Sequence, residues 1–359
     1  MRPADPMVFV LPGVLSQGTD SYDRRMCENL PGAGQPVLEL PIAGTWPHPD
    51  ATSRTRLARS LAALPDRTVV LLDGLVACGV PEIVVPHARR LRLAVLVHQP
   101  LADEPGLDPA HAAELDACER ETLRMAGMVV ATGPWLARIL IDRHDLDPSR
   151  VYVARPGTDA APLAAGADGV SRVLCLGDVT RRNGQDLLVQ ALAEVGDLNL
   201  TCAMVGSLDA EPGFVDELEW NIERLGLVHR ISLTGPNVNL GAAYDGADLL
   251  VIPARAGTSD LIIAQALARG IPVLSTEVGG AYDALGQDSD GIMPGVIVPT
   301  NDPYAIADAL RAWCADAELR YTLRTAALGR GSALEEWDVA ARRLTDVLSR
   351  LASEPRIVA

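Results

Sequence analysis

Short apolar runs, each ended by turn-forming residues, recur along the first half of the chain with amphipathic stretches between them. The runs are mostly apolar rather than alternating, which indicates strands that are buried on both faces. The stretches 109–125 and 134–141 carry apolar residues at helical spacing. Because strands and helices alternate, the pattern predicts a parallel sheet. The predicted strands cover 7–11, 37–40, 68–72, 93–97, 128–131 and 151–153.

The alternation stops at 155–169, a segment of Pro, Gly and other small residues without periodicity, which we interpret as a linker. It then restarts, and the second half again predicts strands and helices in turn. The predicted strands cover 172–176, 199–205, 231–234, 248–252, 272–275 and 296–298. The predicted helices cover 184–195, 213–225 with Pro212 at the first helical position, 259–269, 303–314, 317–328 and a last amphipathic helix at 337–351.

The sequence therefore predicts an α/β protein with two doubly wound parallel-sheet domains, at 1–160 and 161–335. A C-terminal helix and tail, 336–359, follow and are able to pack against either domain. Two such domains are expected to face a central cleft at the carboxyl ends of their strands, where open α/β sheets bind ligands.

The chain contains no lysine, so all 31 basic residues are arginines. This excludes a Schiff-base nucleophile, a pyridoxal-phosphate anchor and the lysine of a phosphate-binding P-loop, since each needs an amine. The motifs G-x-S-x-G, H-E-x-x-H and G-x-G-x-x-G are also absent from the sequence. Hydrolase, zinc-peptidase and dehydrogenase functions therefore lack support.

The formal net charge is −16, which repels a phosphate backbone, so nucleic acid is not expected as a partner. The six cysteines form no C-x-x-C pair and are predicted to be free thiols, mostly in apolar surroundings. The first apolar run is too short for the core of a signal peptide, and no run reaches the ~18 residues of a membrane span. We expect a cytoplasmic protein.

The stretch 253–272 predicts a strand end, a loop of small residues and a helix that begins near Ser259. Backbone amides at a helix N-terminus can bind a phosphate or a carboxylate. On the local sequence alone, Gly257, Thr258 and Ser259 favour a simple helix cap.

In context, this stretch resembles the donor-site segment of the retaining glycosyltransferases of family 4, the group 1 type. The resemblance extends over nearly the whole chain. It implies the GT-B fold of two Rossmann-like domains, and metal-independent sugar transfer from a nucleotide-sugar donor, without a cofactor, to an unknown small-molecule acceptor. The other segments that carry it are 11–13, 22–25, 96–101, 151–159, 176–186, 205–207 (with Gly206), 233–235 (with Gly235), 244–253 and 266–272.

The donor-site motif is degenerate in this chain. The resemblance implies two glutamates, one for the sugar hydroxyls and one for the ribose, where the sequence has Gly257 and Gln265. An amide still donates and accepts hydrogen bonds to a ribose diol, whereas Gly257 offers only backbone.

The phosphate-binding loop differs from the family as well. The resemblance implies an arginine and a lysine on the diphosphate where the chain has Asp178 and Asn183. Arg181 and Arg182 lie beside them and are able to replace the missing cations, or are solvated loop residues.

In the first domain, the resemblance implies two adjacent glycines in a substrate-binding loop where the chain has Gly18 and Thr19. A threonine requires a negative φ there, which indicates a reshaped loop. His98, directly after the fourth predicted strand, matches the family's active-site histidine and is the candidate catalytic residue. A lone histidine at a strand end is also compatible with ordinary packing.

Three functions remain open at this point. The first is a family 4-like hexosyltransferase with an altered donor site. The second is a catalytically inactive GT-B protein that binds a ligand or a partner enzyme. The third is a pseudo-glycosyltransferase that joins sugar-like units by a non-glycosidic bond.

Overall fold

The computed structural model describes residues 6–13, 22–104, 106–236, 239–257 and 260–353. The chain divides into two compact units. Unit 1 comprises residues 1–157 and 336–359, and unit 2 comprises residues 158–335. The sequence predicts the corresponding domain boundaries after residues 160 and 335, and the units end at residues 157 and 335.

Unit 1 begins with strands and helices that alternate as predicted. Its strands are β1 (Met7–Pro12), β2 (Val37–Ile42), β3 (Val69–Asp73), β4 (Arg92–Val97), β5 (Met128–Ala131) and β6 (Val151–Val153). Its helices in this part are α1 (Tyr22–Asn29), α2 (Ala51–Ala63), α3 (Gly74–Cys78), α4 (Pro81–Val84), α5 (Pro109–Met125) and α6 (Pro134–His144), with 3₁₀ turns at Val85–His87, Leu101–Asp103 and Pro148–Arg150.

Unit 2 repeats the arrangement. Its strands are β7 (Arg172–Leu176), β8 (Thr201–Val205), β9 (Ile231–Thr234), β10 (Leu249–Ile252), β11 (Val273–Thr276) and β12 (Gly295–Val298). Its helices are α7 (Gln185–Glu194), α8 (Pro212–Arg224), α9 (Leu240–Asp245), α10 (Asp260–Leu267), α11 (Ala281–Leu285), α12 (Pro303–Ala315) and α13 (Ala317–Ser332). The last helix of the chain, α14 (Trp337–Ser353), belongs to unit 1.

Both sheets are parallel and six-stranded, with the orders β2-β1-β3-β4-β5-β6 and β12-β11-β10-β7-β8-β9. The second order is the doubly wound order of dinucleotide-binding folds, and the first is its flavodoxin-like variant with one more strand. In each sheet the strand order reverses once, between β1 and β3 and between β7 and β10. The predicted fold class of doubly wound parallel sheets is therefore confirmed.

Most strands are largely apolar because both of their faces are covered, whereas the edge strand β2 carries the exposed Glu39. In β7, for example, Val173 and Cys175 lie in one buried cluster, while Leu174 between them lies in another. Successive side chains of a strand point to opposite faces, so helices pack on each side of the sheet.

The segment interpreted as a linker is anchored to unit 2 by the buried carboxylate of Asp248, next to β10. Its Oδ1 accepts hydrogen bonds from the backbone N–H groups of Ala167 and Gly169, both at 3.0 Å. Its Oδ2 accepts one from the N–H of Arg172 at 3.1 Å. The first and last residues of unit 2 are adjacent, since the N–H of Thr158 donates to the Glu335 carbonyl at 2.8 Å.

All six cysteines are free thiols, as predicted. Four of them are buried, whereas Cys118 and Cys314 are only half-buried. No helix among the described residues is both long and apolar enough to cross a membrane.

Candidate functional sites

The first candidate site lies at the carboxyl edge of the sheet of unit 2, where the strand order reverses between β7 and β10. The loop 177–184 follows β7, and the loop 253–257 follows β10. The loops touch at Gly184, whose φ is 70°, because a Cβ there would lie 2.1 Å from the carbonyl oxygen of Pro253. This crevice is where open α/β sheets bind ligands.

Arg255 fastens the two loops together. Its backbone N–H donates to the carbonyl of Arg182 at 2.7 Å, and its guanidinium donates to the carbonyl of Arg181 at 2.8 Å. The same guanidinium binds both carboxylate oxygens of Asp186 in α7, at 2.7 Å each. Its Nε donates to Asn301 Oδ1 at 2.9 Å. The sequence analysis missed Arg255, and the only signal was its place in the loop that follows a buried strand.

The side chains of Asp178 and Asn183 bind protein groups within unit 2. Asp178 Oδ1 accepts the N–H of Ser207 at 3.1 Å, which holds the loop after β8. Asn183 Nδ2 donates to the Asp178 carbonyl at 2.7 Å, and Gln185 Nε2 donates to the same carbonyl at 3.0 Å. The structure thus brings 178 and 183 together, as parts of one tight turn.

Arg181 and Arg182 point to different partners. The exposed Arg181 side chain lies 2.5 Å from Glu217 Oε2 and 5.2 Å from the ring centre of Phe214, both in α8. Arg182 Nε donates to the carbonyl of Ala256 at 3.3 Å, beside Gly257. Of the two arginines, Arg182 therefore lies nearer the junction of the loops.

The three predicted glycines of unit 2 have different surroundings. A Cβ on Gly206 would lie 2.0 Å from the carbonyl oxygen of Gly177, so the segments that follow β7 and β8 pack this closely only because this side chain is absent. A Cβ on Gly235 would meet no atom within 4 Å. Gly257 has a φ of 68°, which puts the glutamate implied by the resemblance in a strained backbone conformation.

Gln265 is held by a residue that the sequence analysis missed. The hydroxyl of the buried Tyr244 donates to Gln265 Oε1 at 3.0 Å. Arg269 stacks over the Tyr244 ring, 4.6 Å from its centre, and donates to the Gln265 carbonyl at 2.9 Å. The orientation of the Gln265 amide is therefore set from inside unit 2. The predicted residues Gly18, Thr19, Thr258 and Ser259 lie outside the described residues.

The second candidate site lies at the carboxyl edge of the sheet of unit 1, around His98. His98 follows the last residue of β4, Asp73 is the last residue of β3, and Asp23 lies in the first turn of α1. His98 Nε2 lies 3.0 Å from Asp23 Oδ1 and 3.5 Å from Asp73 Oδ2. Both carboxylates are buried, whereas the His98 side chain is 32% exposed.

Neighbouring groups fix these side chains. Asp73 Oδ1 accepts the N–H of Leu75 at 2.7 Å and so caps α3. The ring of Tyr22 packs edge-on against the His98 ring, with 5.5 Å between the centres. Trp337, the first residue of α14, packs against Tyr22 in the same way at 6.0 Å. The C-terminal helix therefore supports this site.

The protonation of the three side chains is coupled. Burial disfavours protonation of His98, but the charges and hydrogen bonds of Asp23 and Asp73 outweigh it and raise its pKa to about 10. Burial raises the pKa of Asp23 to about 6, although His98 acts to lower it. Burial acts to raise the pKa of Asp73 too, but hydrogen bonds from His98, Asp23 and the Leu75 N–H hold it below its usual value.

This cluster is also the one group in the described part of the chain that has three or more metal-type ligands near one another. The ligand atoms of Asp23, Asp73 and His98 all lie within 4.8 Å of each other. The sequence analysis found His98 but missed both aspartates. In the sequence, Asp73 is marked only by its place at the end of a buried strand, and Asp23 only by its place in the segment 22–25.

Comparison with known proteins gives this arrangement a context. Residues 170–316, within unit 2, match the family described as Glycosyl transferases group 1. Two solved structures are similar over nearly the whole chain. Sucrose-phosphate synthase from Thermosynechococcus elongatus has a TM-score of 0.77 and 18% identity over 97% of this chain and 99% of that one. The Anabaena protein HepE in complex with UDP and glucose has a TM-score of 0.73 and 16% identity over 96% and 100%. The chain has the GT-B fold.

Sequence relatives of this GT-B chain carry one recurring name. D-inositol 3-phosphate glycosyltransferase 1 of Catenulispora acidiphila is 29% identical over 264 residues, which are 68% of this chain and 62% of the relative. The D-inositol 3-phosphate glycosyltransferase of Frankia alni is 30% identical over 224 residues, 56% of this chain and 54% of the relative. The matches thus span less than two thirds of the length of these relatives.

Proposed function

We propose that the chain is a glycosyltransferase that moves a sugar from a nucleotide-activated donor to a small-molecule acceptor with retention of configuration. The observation that carries the proposal is the junction of the loops 177–184 and 253–257 at the strand-order reversal of unit 2. This junction lies inside the segment that matches the group 1 family. It holds Arg182 and Arg255 at the edge where such sheets bind nucleotides.

The proposed chemistry depends on positioning and on charge. Retaining transfer requires stabilisation of the negative charge that grows on the leaving diphosphate, and no protein nucleophile is strictly necessary. The guanidinium of Arg182 supplies a cation with the planar geometry that phosphate oxygens accept. Gln265, oriented by Tyr244, is the proposed ribose partner, and His98 is proposed to lie near the transferred sugar and its phosphate.

Calorimetry of the full chain with nucleoside diphosphates tests the donor site. UDP is the first choice, because HepE was solved with UDP and with UDP-glucose. We expect saturable binding of one nucleotide and a loss of roughly 10- to 100-fold in affinity for Arg182→Ala, the value of a charge-assisted hydrogen bond. The matched control is Arg224→Ala, an exposed arginine of α8 that stacks on Trp220 in the same unit. If no nucleoside diphosphate binds, the proposal is wrong.

Product analysis tests the transfer itself. The names of the relatives make an inositol phosphate the first acceptor to try, with the anomeric configuration of the product read by NMR. Formation of a glycoside with retained configuration supports the proposal, whereas inversion contradicts it.

One observation favours the second candidate function, a GT-B protein without transfer activity that binds a ligand or a partner enzyme. Asp178 and Asn183 occupy the positions of the implied cations, and their side chains are bound to Ser207 and to the turn itself. If a nucleotide binds tightly while no donor sugar is transferred or hydrolysed with any acceptor, this second function replaces the first.

A further inference from the structure

The cluster of Asp23, Asp73 and His98 contains two buried carboxylates that face one ring nitrogen. Asp73 Oδ1 is already used by the Leu75 N–H, so its Oδ2 is the oxygen that faces His98, at 3.5 Å. Asp23 Oδ1 lies 3.0 Å from the same nitrogen. A buried pair of carboxylates needs a proton or a cation beside it, because two isolated buried charges are too costly.

We propose that Asp23 and Asp73 are positioning residues that hold His98 as an imidazolium, with its Nε2–H directed at their carboxylates and its Nδ1–H offered to an anionic ligand oxygen. In this arrangement the ring nitrogen farther from the aspartates is a donor. Within the part of the chain that the structure describes, Nδ1 makes no hydrogen bond. The ligand is thus an acceptor oxygen, such as a phosphoryl oxygen, and His98 does not act as a general base near neutral pH.

The charges around the ring favour this state. Among the described residues, α1 contributes the Asp23 carboxylate and the neutral Tyr22 hydroxyl, and the end of β3 contributes Asp73. The nearby thiols Cys27 of α1 and Cys78 of α3 stay neutral, because burial raises their pKa.

The indole of Trp337, in α14, packs against the ring of Tyr22. The guanidinium of Arg25, in α1, lies over the Trp337 ring, 5.4 Å from its centre. Both carboxylates stabilise the protonated ring, since opposite charges within about 4–6 Å favour the charged form.

The role of the imidazolium rests on the proposed function. In a transferase that cleaves a sugar–phosphate bond, a cation near the donor stabilises the oxygen on which negative charge develops. A neutral ring held by Nε2–H would present a lone pair at Nδ1 and would accept a proton from a hydroxyl group instead. The two states therefore select different ligand groups at the same place.

A histidine-labelled NMR titration of the full chain tests the protonation state without any activity. His98 is assigned by comparison with His98→Gln, and its ring nitrogens are followed from about pH 6 to about pH 9, around the ordinary histidine pKa. We expect both nitrogens to stay protonated over this range. Titration of wild-type His98 near its ordinary value would overturn the proposal.

Two conservative variants test the contribution of each carboxylate. Asp73→Asn keeps the acceptor for the Leu75 N–H, and Asp23→Asn keeps the size of its side chain. Each is expected to lower the His98 pKa by roughly 1–3 units. The matched control is Asp50→Asn, since Asp50 also caps a helix of unit 1, through Ser53, away from this cluster. A His98 pKa that neither variant changes would overturn the proposal.

Kinetics and metal titration supply the remaining readouts. If the chain transfers sugar, Asp73→Asn should reduce kcat more than KM, with a rate that falls as His98 loses its proton, while wild type shows no such fall. An equal effect of the variant at every pH would contradict the role. Saturable binding of Zn²⁺ or Mg²⁺ that is lost in Asp23→Asn would identify a metal site and would also overturn the proposal that His98 is an imidazolium. Failure to find transfer activity leaves the NMR result unchanged, so the two proposals fail separately.

Discussion

Asp186 and Arg255 form a two-bond ion pair, with both nitrogen–oxygen distances 2.7 Å, between the first turn of α7 and the loop after β10. Both side chains are largely buried, at 20% and 24% exposure. Such a pair is stronger than an exposed one, because water screens it less and its planar geometry is fixed.

Arg255→Ala should therefore lower the free energy of unfolding of unit 2 by about 1–3 kcal/mol and weaken nucleotide binding. Arg255→Lys keeps the charge and loses the two-bond geometry. We therefore expect it to retain only part of the stability and part of the nucleotide affinity of wild type. Chemical denaturation and calorimetry measure the two effects. Arg224→Ala is the control and should change stability by no more than about 0.5 kcal/mol. Equal behaviour of Arg255→Ala and Arg224→Ala would show that the pair does not fix the loops.

Asp178 allows the charge and the hydrogen bond of one side chain to be separated. Asp178→Asn retains an oxygen for the Ser207 N–H and removes the negative charge from the edge where we propose a diphosphate binds. Removing a carboxylate about 5 Å from a phosphate is worth on the order of 1 kcal/mol at intermediate dielectric. We therefore expect about fivefold tighter binding of the nucleoside diphosphate, measured by calorimetry. Asp178→Ala, which also loses the acceptor, should not show this gain. Unchanged affinity in Asp178→Asn would place the phosphates away from this loop.

Gly184 and Gly206 are expected to tolerate no side chain. An alanine at Gly184 would have a strained φ of 70° and a Cβ 2.1 Å from the Pro253 carbonyl oxygen. Gly206→Ala would clash with Gly177. Each substitution should lower the free energy of unfolding by about 1–3 kcal/mol or more. The matched control for stability is Gly235→Ala, because its Cβ meets no atom within 4 Å. Thermal unfolding of the three variants measures these losses of stability. A loss for Gly235→Ala as large as that for Gly184→Ala would contradict the prediction.

The hydrogen bond from Tyr244 orients the side chain of Gln265, the proposed ribose partner, and two variants test this. Tyr244→Phe keeps the ring under Arg269 and removes the donor at 3.0 Å, so the free energy of unfolding should fall by about 0.5–1.5 kcal/mol. Gln265→Glu keeps an acceptor for the tyrosine and restores the acid implied by the resemblance. We expect it to fold normally and to bind the nucleotide more tightly than wild type, as measured by calorimetry. Weaker binding of Gln265→Glu would mean that Gln265 does not contact the ribose.

Most strands were predictable because both of their faces are buried, which leaves a continuous apolar run in the sequence. The predicted bounds at 128–131, 151–153, 172–176 and 231–234 match β5, β6, β7 and β9. β2 continues to Ile42 beyond the predicted end at 40, since Pro41 is tolerated on an edge strand. The short helices α3, α4, α9 and α11 were not predicted, because four to six residues carry too little periodicity.

The site was less predictable, since its side chains meet only through the sheet topology. Asp23 and His98 are 75 positions apart, and Tyr244 and Gln265 are 21 apart. No local pattern marks either pair. The aspartate that anchors the predicted linker, Asp248, was hidden for the same reason: its partners lie 76 to 81 residues earlier.

The protonation of His98 also makes a prediction about stability. Its pKa is about 10 in the folded chain and about 6.5 when unfolded, so the folded state holds the proton more tightly. The resulting stabilisation is fully present below about pH 6.5 and is lost as the pH rises towards 10. Asp23, with a pKa of about 6, has already lost its proton over most of this range and adds little slope there.

The free energy of unfolding of wild type minus that of His98→Gln should therefore decrease between about pH 6.5 and about pH 10. The decrease should be smaller at the lower end of this range, because loss of His98 raises the Asp23 pKa and gives the variant a decrease of its own there. Taking the difference removes the titration of the buried cysteines and of Tyr22, which both proteins share. Urea denaturation at a series of pH values measures it. In Asp73→Asn the corresponding difference should decrease over a narrower range, because the His98 pKa is lower. A difference that is constant with pH, or that increases, would show that the two carboxylates do not hold the proton on the ring.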